Sequence, residues 1–165
     1  MFTLVSWNIQ YGKGVDGRFD LNRIAENVYK EGLPDVLCLQ EVSRNYPSSD
    51  EGADQVKELE KLFPDYESFF GAVHDRSGEK GKPRKQFGNL VLSRPSPVQV
   101  LQHQLPSPAD PKVRFMSRQI AELVIPAKTT DLRVMTTHLE FFSEIQQLAQ
   151  IQRIREIHEE AFCQF

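Results

Sequence analysis

Two short apolar segments, each followed by a polar side chain with an oxygen ligand, place the strongest constraint on how this chain folds. Phe2 to Trp7 alternates between apolar and polar residues and is rich in strand formers, which predicts a β-strand ending at Asn8. Asp35 to Gln40 contains a continuous apolar run and predicts a buried strand ending at Glu41. If the two strands are parallel neighbours, an amide oxygen and a carboxylate meet at one edge of a sheet. Hard divalent cations such as Mg²⁺ prefer oxygen ligands of this kind.

The segment between these strands predicts a helix with a cap at each end. Apolar residues recur on one helical face from Leu21 to Val28. Asp20 is suited to the N-cap and Gly32 to the C-cap. The order strand, helix, strand is typical of a βαβ unit, in which a right-handed crossover makes the two strands parallel neighbours.

Later segments predict two more helices and five more strands. The helices cover Asp54 to Phe63 and Ser143 to Phe162, and Ser143 is suited to the N-cap of the second. A polar loop from His74 to Gln86 joins two strands into a long hairpin. This order indicates an α/β (α+β) fold with a mixed sheet, helices on one face and no internal domain boundary. The five predicted strands are Tyr66 to Val73, Phe87 to Ser93, Val98 to Leu105, Arg118 to Ile125 and Leu132 to Thr137.

Composition narrows the class of protein. The 165 residues are 39% hydrophobic and 26% charged, as in a globular domain with a real core. The formal net charge of -3 argues against a strongly basic nucleic-acid module. The two cysteines, Cys38 and Cys163, favour reduced thiols over a disulfide framework, which indicates a cytoplasmic location. We find no signal-peptide pattern and no apolar run of membrane-spanning length.

Four motifs, in order and at plausible spacing, give the chain a family resemblance. They are Trp7-Asn8, Leu39-Gln40-Glu41, Phe87 to Arg94, and Leu132 to Leu139. With them the chain resembles the endonuclease/exonuclease/phosphatase superfamily of deoxyribonuclease-I-like, metal-dependent phosphoesterases. The resemblance implies a four-layer α/β sandwich in which two sheets pack face to face. It also implies hydrolysis of a phosphodiester or a phosphomonoester, as in a nuclease or a phosphatase.

The resemblance covers nearly all of this chain and only the first part of the family's domain. Family members continue with an aspartate-x-asparagine motif and finish with a serine-aspartate-histidine motif, and neither follows His138. We therefore expect residues 1–165 to form a single incomplete domain that holds part of an active site and is inactive, or nearly so, alone. An apolar sheet face left uncovered by the absent part favours self-association.

The resemblance implies roles for three residues, and the side-chain chemistry of Arg118 suggests a role for a fourth. Glu41 corresponds to the family's metal-binding glutamate and is expected to coordinate Mg²⁺ or Mn²⁺. Asn8 is expected to orient a nucleophile, hold a neighbouring aspartate or contact the cation. His138 is expected to contact the scissile phosphate and stabilise the charge that develops there. Arg118 is expected to bind a phosphate oxygen, because a guanidinium forks onto phosphate.

Each of these residues also has a structural interpretation. Glu41 fits a solvated residue at a strand end, Asn8 a turn residue, and His138 a histidine bonded to a backbone carbonyl. Arg118 and Arg94 fit surface ion pairs, which is the interpretation we favour for Arg94. A cluster of basic residues either attracts an anionic substrate to the site or simply lies in a solvated loop. Its members are Lys80, Lys82, Arg84 and Lys85.

The sequence leaves the substrate open between nucleic acid and a small-molecule or lipid phosphodiester. It also leaves an alternative to the enzyme, namely a non-catalytic binding domain or an inactive truncated fragment of such an enzyme. The residues that determine specificity are expected on loops, several of which belong to the absent part of the domain.

Overall fold

The computed structural model describes residues 1–113 and 116–161, and in these ranges it contains seven strands and three α-helices. The predicted helix end at Phe162 and the second cysteine, Cys163, lie outside the described residues. The strands are β1 Leu4–Asn8, β2 Val36–Arg44, β3 Glu67–Arg76, β4 Lys85–Ser93, β5 Gln99–Leu105, β6 Arg118–Ile125 and β7 Leu132–Thr137. The helices are α1 Leu21–Glu31, α2 Gln55–Leu62 and α3 Glu144–Ala161.

The first sheet has the strand order β1-β2-β4-β3. Strands β1 and β2 are parallel and place Asn8 opposite Gln40, which confirms the predicted βαβ unit. The capped helix between them is also confirmed. The Asp20 carboxylate accepts hydrogen bonds from the backbone N–H groups of Asn22 and Arg23, and Gly32 ends the helix with a φ of 95°.

The second sheet has the strand order β5-β6-β7 and is antiparallel throughout. Both strands of the β6-β7 hairpin have the bounds that the sequence predicts. The expectation of one sheet is wrong, whereas the two-sheet sandwich that the resemblance implies is present. Apolar periodicity identifies strands without assigning them to a sheet. The break falls between β4 and β5, where Pro95 and Pro97 interrupt pairing.

The inner faces of the two sheets pack against each other. Val36 and Cys38 of β2 and Val91 of β4 contact an apolar set on the second sheet, namely Ala121, Leu123, Ile125 and Val134. The expected uncovered inner sheet face is therefore absent from the described residues, because the same chain supplies both sheets.

Helices cover the outer side of each sheet and complete four layers. Helices α1 and α2 pack on the first sheet around Leu37, Leu39, Leu90 and Leu92. Helix α3 packs on the second sheet, where Ile157 contacts a cluster with Leu105 and Ile120. Within the described ranges, no helix is both long and apolar enough to cross a membrane.

The β3-β4 hairpin is longer than its sequence indicates. The predicted loop from His74 to Gln86 is wrong in extent, because pairing continues through Asp75 opposite Gln86 to Arg76 opposite Lys85. We call this end of the hairpin the β3-β4 ribbon. Its side chains are polar and partly or fully exposed, and this polarity makes the ribbon resemble a loop in the sequence.

Candidate active site

Glu41 lies at a β-bulge rather than at a strand end. The sequence predicts that the second strand stops before Glu41, but β2 continues to Arg44. Its pairing with β4 shifts register between Leu39 and Val42, and Glu41 has a φ of 58°. A bulge re-aims a side chain, and left-handed backbone at non-glycine residues is enriched at functional sites.

Asn8 holds the Glu41 carboxylate from the neighbouring strand. The Asn8 Nδ2 atom donates a hydrogen bond to Glu41 Oε1 at 3.0 Å. The Asn8 Oδ1 atom accepts one from the backbone N–H of Gln10 at 3.1 Å. Gln10 and Tyr11 follow in left-handed conformation, with φ of 45° and 57°. Gln10, Tyr11 and Glu41 therefore all have left-handed backbone. The turn and the bulge that they form fix the orientation of the Asn8 and Glu41 side chains.

His138 reaches the same carboxylate from the second sheet. It follows β7, and its Nδ1 atom lies 3.4 Å from Glu41 Oε1, an ion-pair distance without hydrogen-bond geometry. The imidazole stacks on the Phe141 ring with centroids 5.9 Å apart. Burial lowers the pKa of His138, and the Arg118 charge lowers it further against the opposing charges of Glu41 and Glu140. A neutral imidazole is therefore favoured at pH 7.

Gln40 ties the two sheets together directly beneath this site. Its side-chain Nε2 atom donates to Thr136 Oγ1 of β7 at 2.8 Å. The same nitrogen lies 3.2 Å from Ser6 Oγ of β1 and 3.2 Å from the Cys38 carbonyl oxygen. Because Gln40 precedes Glu41 and Thr136 lies two residues before His138, this buried amide sets how far apart Glu41 and His138 lie.

Arg118 is buried and pairs with Glu140. Its Nη2 atom donates to Glu140 Oε2 at 3.2 Å, and Arg118 is only 3% exposed. Burial raises the pKa of Glu140, but backbone N–H bonds from Phe142 and Phe141 and the Arg118 guanidinium outweigh it and hold the pKa below its usual value. The guanidinium also lies over the Phe141 ring, 5.7 Å from its centroid. In this arrangement Arg118 supports the ring on which His138 stacks, and phosphate binding by Arg118 stays a prediction.

The donor set fits part of a magnesium site. Among the described residues no group of three or more His, Cys, Asp or Glu side chains comes together, and Glu41 is the carboxylate at the centre of this arrangement. Asn8 Oδ1 already accepts a backbone hydrogen bond, so Glu41 is the stronger ligand. Mg²⁺ keeps several waters and is often held by one or two carboxylates plus substrate phosphate, which this geometry permits.

Comparison with known proteins places this arrangement in a family. The sequence model of the endonuclease/exonuclease/phosphatase family matches residues 5–156. The chain belongs to this family. Members of the superfamily are hydrolases that act on phosphoesters. No curated protein matches the chain.

Solved structures share the fold. A protein from Beutenbergia cavernae described as endonuclease/exonuclease/phosphatase is 26% identical, with a TM-score of 0.75 over 93% of this chain and 43% of that one. TDP2 from Caenorhabditis elegans is 21% identical, with a TM-score of 0.69 over 99% of this chain and 43% of that one. The human nocturnin catalytic domain with bound sulfate is 16% identical, with a TM-score of 0.56 over 96% and 60%. The chain thus spans less than half the length of the first two.

The other basic residues singled out in the sequence lie apart from this site. Arg94 pairs with Asp35 at 2.9 Å and donates to the carbonyls of Pro34 and Leu33, at the opposite edge of the first sheet. This geometry agrees with the ion-pair interpretation.

In the basic cluster Arg84 pairs with Asp75. Lys80 and Lys82 are exposed in the loop, and Lys85 begins β4.

The sequence does not predict the roles of several residues that build the site. For Gln40, its position in the Leu39-Gln40-Glu41 motif is the one sequence feature that points to its bridging role. Glu140 comes two residues after His138, but nothing in the sequence marks its pairing with Arg118. Tyr11 had no signal, because the turn that directs it depends on left-handed backbone at a non-glycine residue.

Proposed function

We propose that this chain is part of a metal-dependent phosphoesterase in which Glu41 binds Mg²⁺ or Mn²⁺ and Asn8 and His138 act beside it. The observation that supports the proposal is the convergence of Asn8 and His138 on one oxygen of Glu41, from two different sheets. Family membership supplies the reaction class. Neither a turn residue nor a solvated strand-end glutamate explains this convergence.

In this mechanism each residue has a separate task. Asn8 orients the carboxylate through Glu41 Oε1, while the other oxygen, Oε2, has no hydrogen-bond partner among the described residues and remains open to a cation. A bound Mg²⁺ supplies charge neutralisation for the phosphoryl oxygens. His138, kept neutral by burial and by Arg118, provides a ring nitrogen for a hydrogen bond to the phosphate.

We propose that the chain supplies only part of this machinery. Among the described residues no group of three or more His, Cys, Asp or Glu side chains could hold a metal ion, and the nearby Glu140 carboxylate is already paired with Arg118. Chains of this fold such as the one from Beutenbergia cavernae are more than twice as long as the matched region. The remaining ligands and the group that activates water are therefore assigned to segments without a counterpart here. Phosphoester hydrolysis by this chain alone is expected to be absent or very slow.

A non-catalytic binding domain is the second candidate function. The observation that favours it is the incomplete set of metal ligands around Glu41 in the described part of the chain. A weak cation site beside a neutral histidine suits phosphate binding without turnover. The substrate class stays open at this level between nucleic acid and a small-molecule or lipid phosphodiester.

We propose a cytoplasmic location because Cys38 is a free thiol in the described part of the chain. Cys38 lies in the core between the sheets, and burial raises its pKa to about 11. Such a thiol is an unreactive packing group.

The experiment combines a turnover assay with a binding assay. Hydrolysis of bis-p-nitrophenyl phosphate and broadening of the ³¹P resonance of inorganic phosphate are measured with and without Mg²⁺. The proteins are the wild type, Glu41→Gln and the control Glu26→Gln, which changes an exposed glutamate of α1. We expect little or no hydrolysis, together with Mg²⁺-dependent phosphate binding in the wild type and the control. Phosphate binding that is equal with and without Mg²⁺, and equal in the wild type and Glu41→Gln, would contradict the proposal.

A further inference from the structure

A cleft beside the candidate site is not used by the mechanism above. It has a volume of about 270 Å³ and lies between the turn after β1, the segment after β2 and the β3-β4 ribbon. Tyr11 connects it to the site, because it lies in the turn directly after β1, where the backbone N–H of Gln10 donates to Asn8 Oδ1. The cleft is lined by Tyr11, Tyr46, Ser48, Ser49, His74, Arg76, Phe87 and Met116.

Three rings form one wall of this cleft. The Tyr11 and Phe87 centroids lie 5.5 Å apart at 47°, and those of His74 and Phe87 lie 6.5 Å apart at 35°. Phe87 is 8% exposed and anchors the other two. The left-handed backbone of Tyr11 and the 2.6 Å hydrogen bond from Gln55 Nε2 to its carbonyl hold that ring in place. The wall is therefore preorganised for contact with a planar, apolar group.

One cation stands at the cleft without a counter-ion. Two nearby arginines are neutralised by carboxylates, Arg84 by Asp75 and Arg44 by Asp54. Arg76, in contrast, is exposed and has no ion-pair partner within the described part of the chain. His74 adds no second charge, because burial and the Arg76 and Arg118 charges lower its pKa. Among its described lining residues, the cleft thus combines neutral rings with one guanidinium that has no carboxylate partner, which favours an anionic ligand.

We propose that this cleft is a subsite for a flat aromatic ring carried by the phosphoester, with Arg76 contacting an anionic group of the same molecule. The proposal deepens the proposed function and rests on it for the phosphate position. It names the substrate class as aromatic phosphoesters, in which the ring is a nucleobase or an aryl group. Stacking against a ring wall is the chemistry that both sources share.

The size of the cleft argues against a lipid chain. Sites for drug-sized ligands measure roughly 300–1,000 Å³, so about 270 Å³ accommodates one ring system rather than an extended acyl chain. The polar rim, which includes Ser48 and Ser49, is also unsuited to a long hydrocarbon.

Ligand-observed NMR tests the subsite without requiring turnover. Saturation-transfer difference titrations compare adenosine 5′-monophosphate, phenyl phosphate and ribose 5-phosphate against the wild-type chain in the presence of Mg²⁺. We expect at least one ring-bearing ligand to bind about fivefold or more tightly than ribose 5-phosphate, with saturation strongest on its ring protons. Adenosine monophosphate as the preferred ligand identifies a nucleobase, and phenyl phosphate identifies an aryl group.

Variants locate the binding in the cleft. Tyr46→Ala removes a partly exposed ring and Arg76→Ala removes the free charge, and each is expected to lower the affinity for the preferred ligand about fivefold. Arg155→Ala, at an exposed arginine of α3, is the matched control and is expected to change nothing. Circular dichroism of each variant checks that it is folded.

Two results overturn the subsite. One is ribose 5-phosphate binding as tightly as both ring-bearing ligands, and the other is Arg155→Ala weakening binding as much as Arg76→Ala. These failures are distinct from failure of the proposed function. If Glu41→Gln leaves Mg²⁺-dependent phosphate binding intact while the ring preference persists, the phosphoesterase proposal fails and the ring subsite stands.

Discussion

Phe141 connects two residues of the candidate site that lie on neighbouring strands of the second sheet, His138 directly after β7 and Arg118 in β6. Its ring stacks on His138 and also lies under the Arg118 guanidinium, while its backbone N–H donates to Glu140 Oε1. Glu140 thereby neutralises Arg118 and fixes the turn that carries the ring. The orientation of His138 depends on this buried ion pair, although neither member of the pair touches Glu41 in the described structure.

Glu140→Gln is expected to destabilise the chain by about 3 kcal/mol, because it leaves the Arg118 charge buried without a counter-ion. The free energy of unfolding is measured by urea denaturation. The double variant Arg118→Met, Glu140→Gln is the control, and it is expected to recover much of the loss, since it removes both charges together and keeps the side-chain oxygen that accepts from the Phe141 and Phe142 backbone N–H groups. A loss below about 1 kcal/mol for the single variant would show that the pair does not hold this part of the fold.

The sequence identified three residues that the structure brings together, and it did so through motifs. Asn8 and Glu41 follow from neighbouring parallel strands, and His138 follows from the resemblance. The convergence on a single carboxylate oxygen was beyond sequence reasoning, because it requires the bulge at Glu41 and the second sheet. Arg118 was selected as a residue type suited to phosphate, but its burial is a property of tertiary packing.

At the scale of elements, the best predicted segments are those with chemical signals at their ends. Asp20 and Gly32 delimit α1, and the bounds of β6 and β7 follow from apolar runs interrupted by a proline-containing turn. The predicted second strand is shorter than β2, because the polar residue Glu41 resembles the end of a strand in the sequence. A bulge leaves no pattern in a single sequence, since pairing across it is decided by the partner strand.

The close approach of β3 and β4 gives a prediction at this scale. A Cβ atom added at Gly88 lies 1.8 Å from the Gly71 carbonyl oxygen, and backbone cannot move aside cheaply. Gly88→Ala is therefore expected to lower the free energy of unfolding by about 3 kcal/mol, the upper part of the range for overpacking. Urea denaturation measures the change.

Gly71→Ala is the matched control for this variant. A Cβ atom at Gly71 meets the Gln119 Nε2 atom at 2.6 Å, which is the mobile end of a side chain. Gly71→Ala is expected to lower the free energy of unfolding clearly less than Gly88→Ala does. Equal losses in the two variants would show that the backbone contact does not set the strand spacing.

Helix α3 is inverted over its first half relative to its sequence pattern. Gln146 and Gln150 are buried and donate to the carbonyls of Pro108 and Pro106, while Ile145, Leu148 and Ile151 are exposed. Apolar residues recur here at spacings of three and four, which favours a helix, and the helix is present. Which face packs on the sheet was not readable, because the buried glutamines satisfy backbone groups of a distant loop.

At the scale of the molecule, five of the exposed apolar residues lie on and beside α3. We call this surface the α3 stripe, and it comprises Phe141, Phe142, Ile145, Leu148 and Ile151. The chain spans 43% of the Beutenbergia cavernae protein, so most of that protein has no counterpart here. Contiguous apolar surface of this kind favours association.

We expect the isolated chain to self-associate through the α3 stripe. The double variant Ile145→Glu, Leu148→Glu is expected to shift the chain toward monomer, since it places charges in the contact. Light scattering after size exclusion measures the mass. The control Val98→Glu, Val100→Glu changes two other exposed apolar residues and is expected to leave association unchanged. A monodisperse wild-type monomer at high concentration would contradict the prediction.

The most direct test of the account is whether Glu41 binds a divalent cation. Electron paramagnetic resonance of free Mn²⁺ is followed as the wild type, Glu41→Gln and the exposed-site control Glu26→Gln are titrated. The account predicts weak, millimolar binding by the wild type and by Glu26→Gln and its loss in Glu41→Gln, because one carboxylate with waters holds the cation. Binding that is absent from the wild type, or that survives unchanged in Glu41→Gln, would contradict it.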